Sequence, residues 1–137
     1  MKHKYFILAL FTISCTLTHA QMNPAEKTVQ ANLEAYNQRD LEGFMAYFSD
    51  DIQLVNFDSQ ETSATGKAQI RAMYKNLFDN SPKLHSEILK RIVFDNKVID
   101  HEYITGRMGE DQALQLVLIY EVREEKIYKI SVMRKRP

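Results

Sequence analysis

RIVFDNKVIDHEYITG, residues 91–106, reads as two runs of β-forming residues around the pair Asp95-Asn96, the pattern of a β-hairpin closed by a two-residue turn. With that turn, Phe94 pairs with Lys97, which sets Arg91 opposite Asp100 and Lys90 opposite His101. Successive strand residues point to opposite faces, so His101 shares a face with neither Asp100 nor Glu102. One face then carries Glu87, Leu89, Arg91, Val93, Val98, Asp100, Glu102 and Ile104. This mixed polar set is expected to look outward, with the Arg91–Asp100 pair adding about 0.5 kcal/mol. The other carries Leu84, Ile88, Ile92, Phe94, Ile99, His101, Tyr103 and Thr105, and is expected to face the core. His101 is thereby a candidate acid/base group, against the plainer alternative of a hydrogen-bonded core histidine.

Outward from the hairpin, the chain after Pro82 reads as sheet. Strands are predicted over 83–94, 97–107, 112–123 and 126–134, joined by turns at 95–96, 108–111 and 124–125. Before Pro82 the pattern is mainly helical. Asn23, Pro24 and Glu26 form a helix start, followed by Val29, Leu33 and Tyr36 at helical spacing. Leu41, Phe44, Met45 and Phe48 form the stripe of a second helix, and Ile70, Met73, Tyr74, Leu77 and Phe78 that of a third from Lys67 to Asp79. Between them IQLVNF, 52–57, alternates as a strand with Asn56 on its Ile52 and Leu54 face, and DSQETSATG, 58–66, reads as a loop over something. The predicted class is α+β, a curved antiparallel sheet wrapped around three N-terminal helices.

ALQLVLIY, 113–120, is apolar on both faces except at Gln115. One face can meet the helices, and the other predicts a homodimer packed sheet against sheet.

The first 20 residues set Lys2 and Lys4 before an apolar run and end in small residues at Thr18 and Ala20. They predict a secretory signal peptide and a mature domain over 21–137, periplasmic or secreted. Lipid attachment at Cys15 is the alternative, although Thr12 stands where such sites usually carry a branched aliphatic residue. No later segment is long and apolar enough to span a membrane. Cys15 is the only cysteine, so no disulfide is expected and packing must hold the domain together. The 18 basic and 18 acidic residues balance, which argues against a nucleic-acid partner. Beyond residue 20 only His85 and His101 supply imidazoles, on opposite predicted faces; neither a metal site nor another cofactor is expected.

AYNQRDLEGFMAYFSDDIQL (35–54), GKAQIRAMYKNLF (66–78), VIDHEYITG (98–106) and YEVREEKIYKISVMR (120–134), in this element order, resemble the SnoaL-like branch of the nuclear transport factor 2-like superfamily. The resemblance covers essentially all of 21–137 and implies a cone with a pocket between sheet and helices, and in many members a dimer. Relatives include ketosteroid isomerase, polyketide cyclases, scytalone dehydratase and limonene epoxide hydrolase. In the isomerase pattern the catalytic base falls on Asn56, the oxyanion-hole tyrosine near Asn32 and the protonated acid near Gln115. Three ionisable groups become amides, which orient or polarise a carbonyl but abstract no proton. The resemblance therefore implies an exported domain that binds a small apolar or carbonyl-containing molecule, with Tyr36, Asn56, Tyr74, Tyr103 and Gln115 lining the pocket. The alternative is an isomerase, cyclase or lyase using His101.

Overall fold

In a computed structural model, residues 21–135 are described; the leader expected over 1–20 lies outside them. The elements run α1 (Pro24–Gln38), α2 (Leu41–Ala46), β1 (Phe48–Asn56), β2 (Thr62–Thr65), α3 (Gly66–Asp79), β3 (His85–Phe94), β4 (Lys97–Thr105), β5 (Leu114–Arg123) and β6 (Lys126–Arg134). A single six-stranded curved sheet has the order β2-β1-β6-β5-β4-β3. Helices cover one face of it. No described helix is long and apolar enough to cross a membrane.

The helix starts follow local chemistry. Asn23 Oδ1 accepts from the Ala25 amide at 2.8 Å, and Pro24 supplies a preset first helical residue. Arg39, left-handed at φ 54°, ends α1. Just before it, Asn37 holds both the amide and carbonyl of Ser86 at 2.8 and 3.0 Å. That pairing ties the end of α1 to edge strand β3. Asp40 then caps α2 through the Gly43 amide at 3.0 Å.

The α+β class holds, with two corrections. The sheet is mixed, because β1 runs parallel to β6 while the other neighbours are antiparallel. Parallel neighbours need a long crossover, here α3 plus the whole meander, so local pattern carried no trace of the pairing. The helix order is the expected one, but a further strand, β2, stands between β1 and α3. The expected loop over 58–66 carries this short edge strand in four of its nine residues. Its turn is built by Asn56, whose Oδ1 accepts from the amides of Asp58 and Ser59 at 2.9 and 3.0 Å.

The hairpin register is the expected one: Phe94 pairs with Lys97, Arg91 with Asp100, and Lys90 with His101. Its two faces are reversed. Val98, Asp100, Glu102 and Ile104 are 0–4% exposed, whereas Ile99, His101, Tyr103 and Thr105 are only half-buried on the outer surface. A bulge at Leu89 contributes, because it puts Ser86 and Ile88 on the same side as Arg91 and Val93. The larger reason is that each inward carboxylate has its own hydrogen-bond partners, which offset part of the usual penalty for burying it.

Candidate functional site

Between the inner face of the sheet and helices α1 and α3 lies a cavity of about 150 Å3. Its walls are chiefly aliphatic, with Leu54, Leu77, Leu116, Leu118, Ile130 and Val132. Aromatic rings close the helical side. Tyr36 from α1, Phe44 from α2, and Tyr74 and Phe78 from α3 pack edge-on or tilted with centroids 4.4–6.3 Å apart. The helical spacing of Tyr36 after Leu33, and of Tyr74 and Leu77 after Met73, sends these side chains onto the cavity.

The carboxyl in this apolar space is Glu102. Strand alternation aims it inward, where Oε2 accepts from Ser86 Oγ at 2.7 Å and Oε1 from the Tyr120 hydroxyl at 2.9 Å. Burial raises its pKa above the ordinary 4.5, while the two hydrogen bonds and Arg91 pull it back and Asp100 pushes it further up. The phenols respond to the same surroundings. Burial, then Glu102, pushes Tyr74 up to about 12, opposed by Arg107 and Arg134. Tyr36 is raised by burial and by Tyr74 and Glu102, and Tyr120 by burial and then by Glu102. All three phenols stay protonated at neutral pH; the Tyr120 hydroxyl donates to Glu102, which leaves those of Tyr36 and Tyr74 to donate to a guest.

Asp100, one pleat away, is engaged elsewhere. Its oxygens accept from Arg91 Nε and Nη2, both at 2.7 Å, and Arg91 Nη1 reaches Gln30 Oε1 on α1 at 2.8 Å. This fork gives each oxygen of the buried carboxylate a charged donor and fastens α1 to the sheet. Asp100 therefore braces the wall while Glu102 faces the cavity.

Two arginines complete the lining. Arg134 comes from the end of β6 and Arg107 from the short turn after β4. The second placement depends on Gly106, at φ +65°, where a Cβ would stand 2.2 Å from the Lys83 carbonyl oxygen. Fully buried Ser81 then accepts the Met108 amide at 2.8 Å and pins the turn.

Of the residues singled out from sequence, the structure brings Tyr36 and Tyr74 together at the cavity. His101, Tyr103 and Gln115 lie on the outer side, where His101 Nε2 pairs with Gln115 Oε1 at 3.0 Å. Asn56 holds the β1–β2 turn. Asn32, expected near the oxyanion-hole position, does line the cavity, but its Nδ2 is committed to the Phe44 carbonyl at 3.0 Å. Sequence reasoning passed over Glu102, Tyr120, Arg107 and Arg134. Tyr120 stands two residues beyond Leu118 on the apolar period of β5, and that period was the available signal. Among the described residues no three His, Cys, Asp or Glu side chains converge as a metal site.

The family model for the SnoaL-like domain matches residues 29–130. The chain belongs to this family. Solved structures agree on the fold of the SnoaL-like domain. An uncharacterized cystatin-fold protein from Novosphingobium aromaticivorans is 22% identical at TM-score 0.73, covering 83% of this chain and all of its own. A putative ketosteroid isomerase from Kribbella flavida is 14% identical at TM-score 0.70, with 83% and 79% covered. An NTF2-like protein of unknown function from Cytophaga hutchinsonii is 12% identical at TM-score 0.67, with 85% and 94% covered. No curated protein matches the chain.

Proposed function

We propose that this SnoaL-like domain binds a small apolar or carbonyl-containing molecule in its cone cavity. The observation that carries the reading is a largely apolar cavity whose lining includes one buried carboxyl, Glu102, and the protonated phenols of Tyr36, Tyr74 and Tyr120. A cavity of about 150 Å3 takes a guest of roughly one six-membered ring. Cyclohexanone is the test ligand. Saturable shifts of the Leu116 and Leu118 methyl resonances support the reading; unchanged cavity methyls, with neither cyclohexanone nor benzene bound, overturn it.

Glu102 favours a second reading, proton transfer on an enolisable ketone. A cavity-lining carboxyl fixed by two donors, whose pKa burial raises, has the geometry of a general acid/base. This role passes to Glu102 because His101 lies outside the cavity. Solvent-deuterium exchange into cyclohexanone checks it. Glu102→Gln is expected to stop exchange while leaving binding within about threefold, a difference below roughly 1 kcal/mol. Exchange that survives the substitution removes the catalytic reading.

The outer sheet face is proposed to meet a second copy. Phe94 is 74% and Ile92 50% exposed, beside half-buried Ile99, Val117, Ile119 and Met133, an apolar area of the kind that marks association sites. Phe94→Lys should shift the sedimentation weight from dimer to monomer; a monomeric parent protein ends the proposal. The leader over 1–20 supports export, with a mature chain beginning at Gln21. Intact mass from the host checks this, and a retained Met1 argues against it.

A further inference from the structure

We propose that the ligand of the cavity is a small apolar organic acid, its ring or short chain among the leucines and its carboxylate held by Arg107 and Arg134. The inference rests on the binding function proposed above and names the ligand class. Its basis is a charge mismatch within the site. Both guanidiniums, half-buried Arg107 and exposed Arg134, line a largely apolar cavity, yet among the described residues neither forms an ion pair with a carboxylate, while Arg71, Arg91 and Arg123 are each paired. The one acid in the lining, Glu102, already accepts from Ser86 and Tyr120, so it is not held in reserve to neutralise them. Two unmatched cations over a greasy cavity complement a guest with one anionic end.

The chain invests local structure in this placement. Arg107 sits in a turn that needs glycine at 106 and the buried Ser81 hydroxyl on the next amide but one from Gly106. Arg134 extends the inward row of Ile130 and Val132 on β6, and its register partner is Leu116 of the cavity wall. The two cations thus arrive from different strand ends at the same space. Size narrows the class further: about 150 Å3 matches one ring or a chain of comparable bulk.

The probes are phenylacetate and its neutral isostere phenylacetamide, titrated at pH 7 against the full domain while the methyls of Leu114, Leu116 and Leu118 are followed. Phenylacetate should bind about tenfold or more tightly, the effect of one charge-assisted contact, and the preference should shrink as salt is raised. In the doubly substituted Arg107→Gln/Arg134→Gln variant the preference should fall to about unity, chiefly through weaker phenylacetate binding. Equal affinities in the parent protein, or a preference for the amide, overturn the organic-acid assignment and leave the binding function standing if cyclohexanone still binds. Should none of the three molecules shift the cavity methyls, both readings fall. The parent-protein comparison decides the matter even if the double variant fails to fold.

Discussion

The two faces of β4 carry similar chemistry in opposite settings. Asp100 and Glu102 point inward and are at most 3% exposed; His101 and Tyr103 point outward and remain half-buried. Inward, every oxygen of the two carboxylates meets a named donor: Arg91 twice for Asp100, Ser86 and Tyr120 for Glu102. Outward, the imidazole has Gln115. Polarity alone thus does not decide which face of a strand is buried. What decides is whether the rest of the sheet supplies enough donors to replace water, and here β3, through Ser86 and Arg91, and β5, through Tyr120, do so.

The sharpest way to break the contrast is at Asp100. Asp100→Ala leaves the Arg91 guanidinium, 14% exposed at its side chain, with Gln30 as its remaining neighbour in the fork. The expected loss is about 3–5 kcal/mol, the usual consequence of removing one partner of a buried ion pair. Urea unfolding monitored by far-UV circular dichroism measures it. A loss under about 1 kcal/mol would place the pair in an effectively aqueous setting, and the inward face would lose its claim to be core.

Much of the scaffold was legible because it is written in local periods. The four meander strands, the Asp95-Asn96 turn and the pairing of Arg91 with Asp100 follow from alternation and turn length. The cap at Asn23 follows from a side chain that can accept amide hydrogen bonds. Non-local features were hidden. The parallel β1–β6 pairing depends on residues separated by most of the domain, and the Leu89 bulge leaves no mark in residue type. The site suffered from the same blindness. Glu102 looked exposed because Ser86 lies 16 residues before it and Tyr120 18 after it, so its hydrogen bonds exist only after three strands assemble. Tyr36 and Tyr74 were found because each follows an apolar helical period that leads to the cavity.

Glu102 gives a smaller and pH-dependent effect. Its folded pKa is raised above the ordinary 4.5 by burial, so the native state holds its proton more tightly than the unfolded chain. Between the unfolded and folded values the native state binds more protons, and stability falls as pH rises through that window. Below about 4.5 the penalty is absent. Glu102→Gln carries no ionisable proton and should flatten this decline, changing stability by about 1 kcal/mol at pH 4 through the altered hydrogen bonds alone. Urea midpoints from pH 4 to 8 for both proteins test the sign. A parent protein that gains stability over that window, relative to the variant, contradicts a carboxyl raised by burial.

The outer face should respond least. His101→Ala removes one half-exposed hydrogen bond to Gln115 and leaves no buried donor stranded, so the loss expected in dilute, monomeric protein is below about 0.5 kcal/mol. Affinity for cyclohexanone should be unchanged, because the imidazole touches none of the cavity wall. Concentration separates two kinds of failure. If the loss grows with protein concentration, the ring acts through a contact between copies on the outer face, and the contrast between faces survives with a second interface added. If the loss is large in dilute protein and cavity affinity falls with it, the two sides of β4 are coupled through the strand, and the assignment of ligand chemistry to the inward side alone fails.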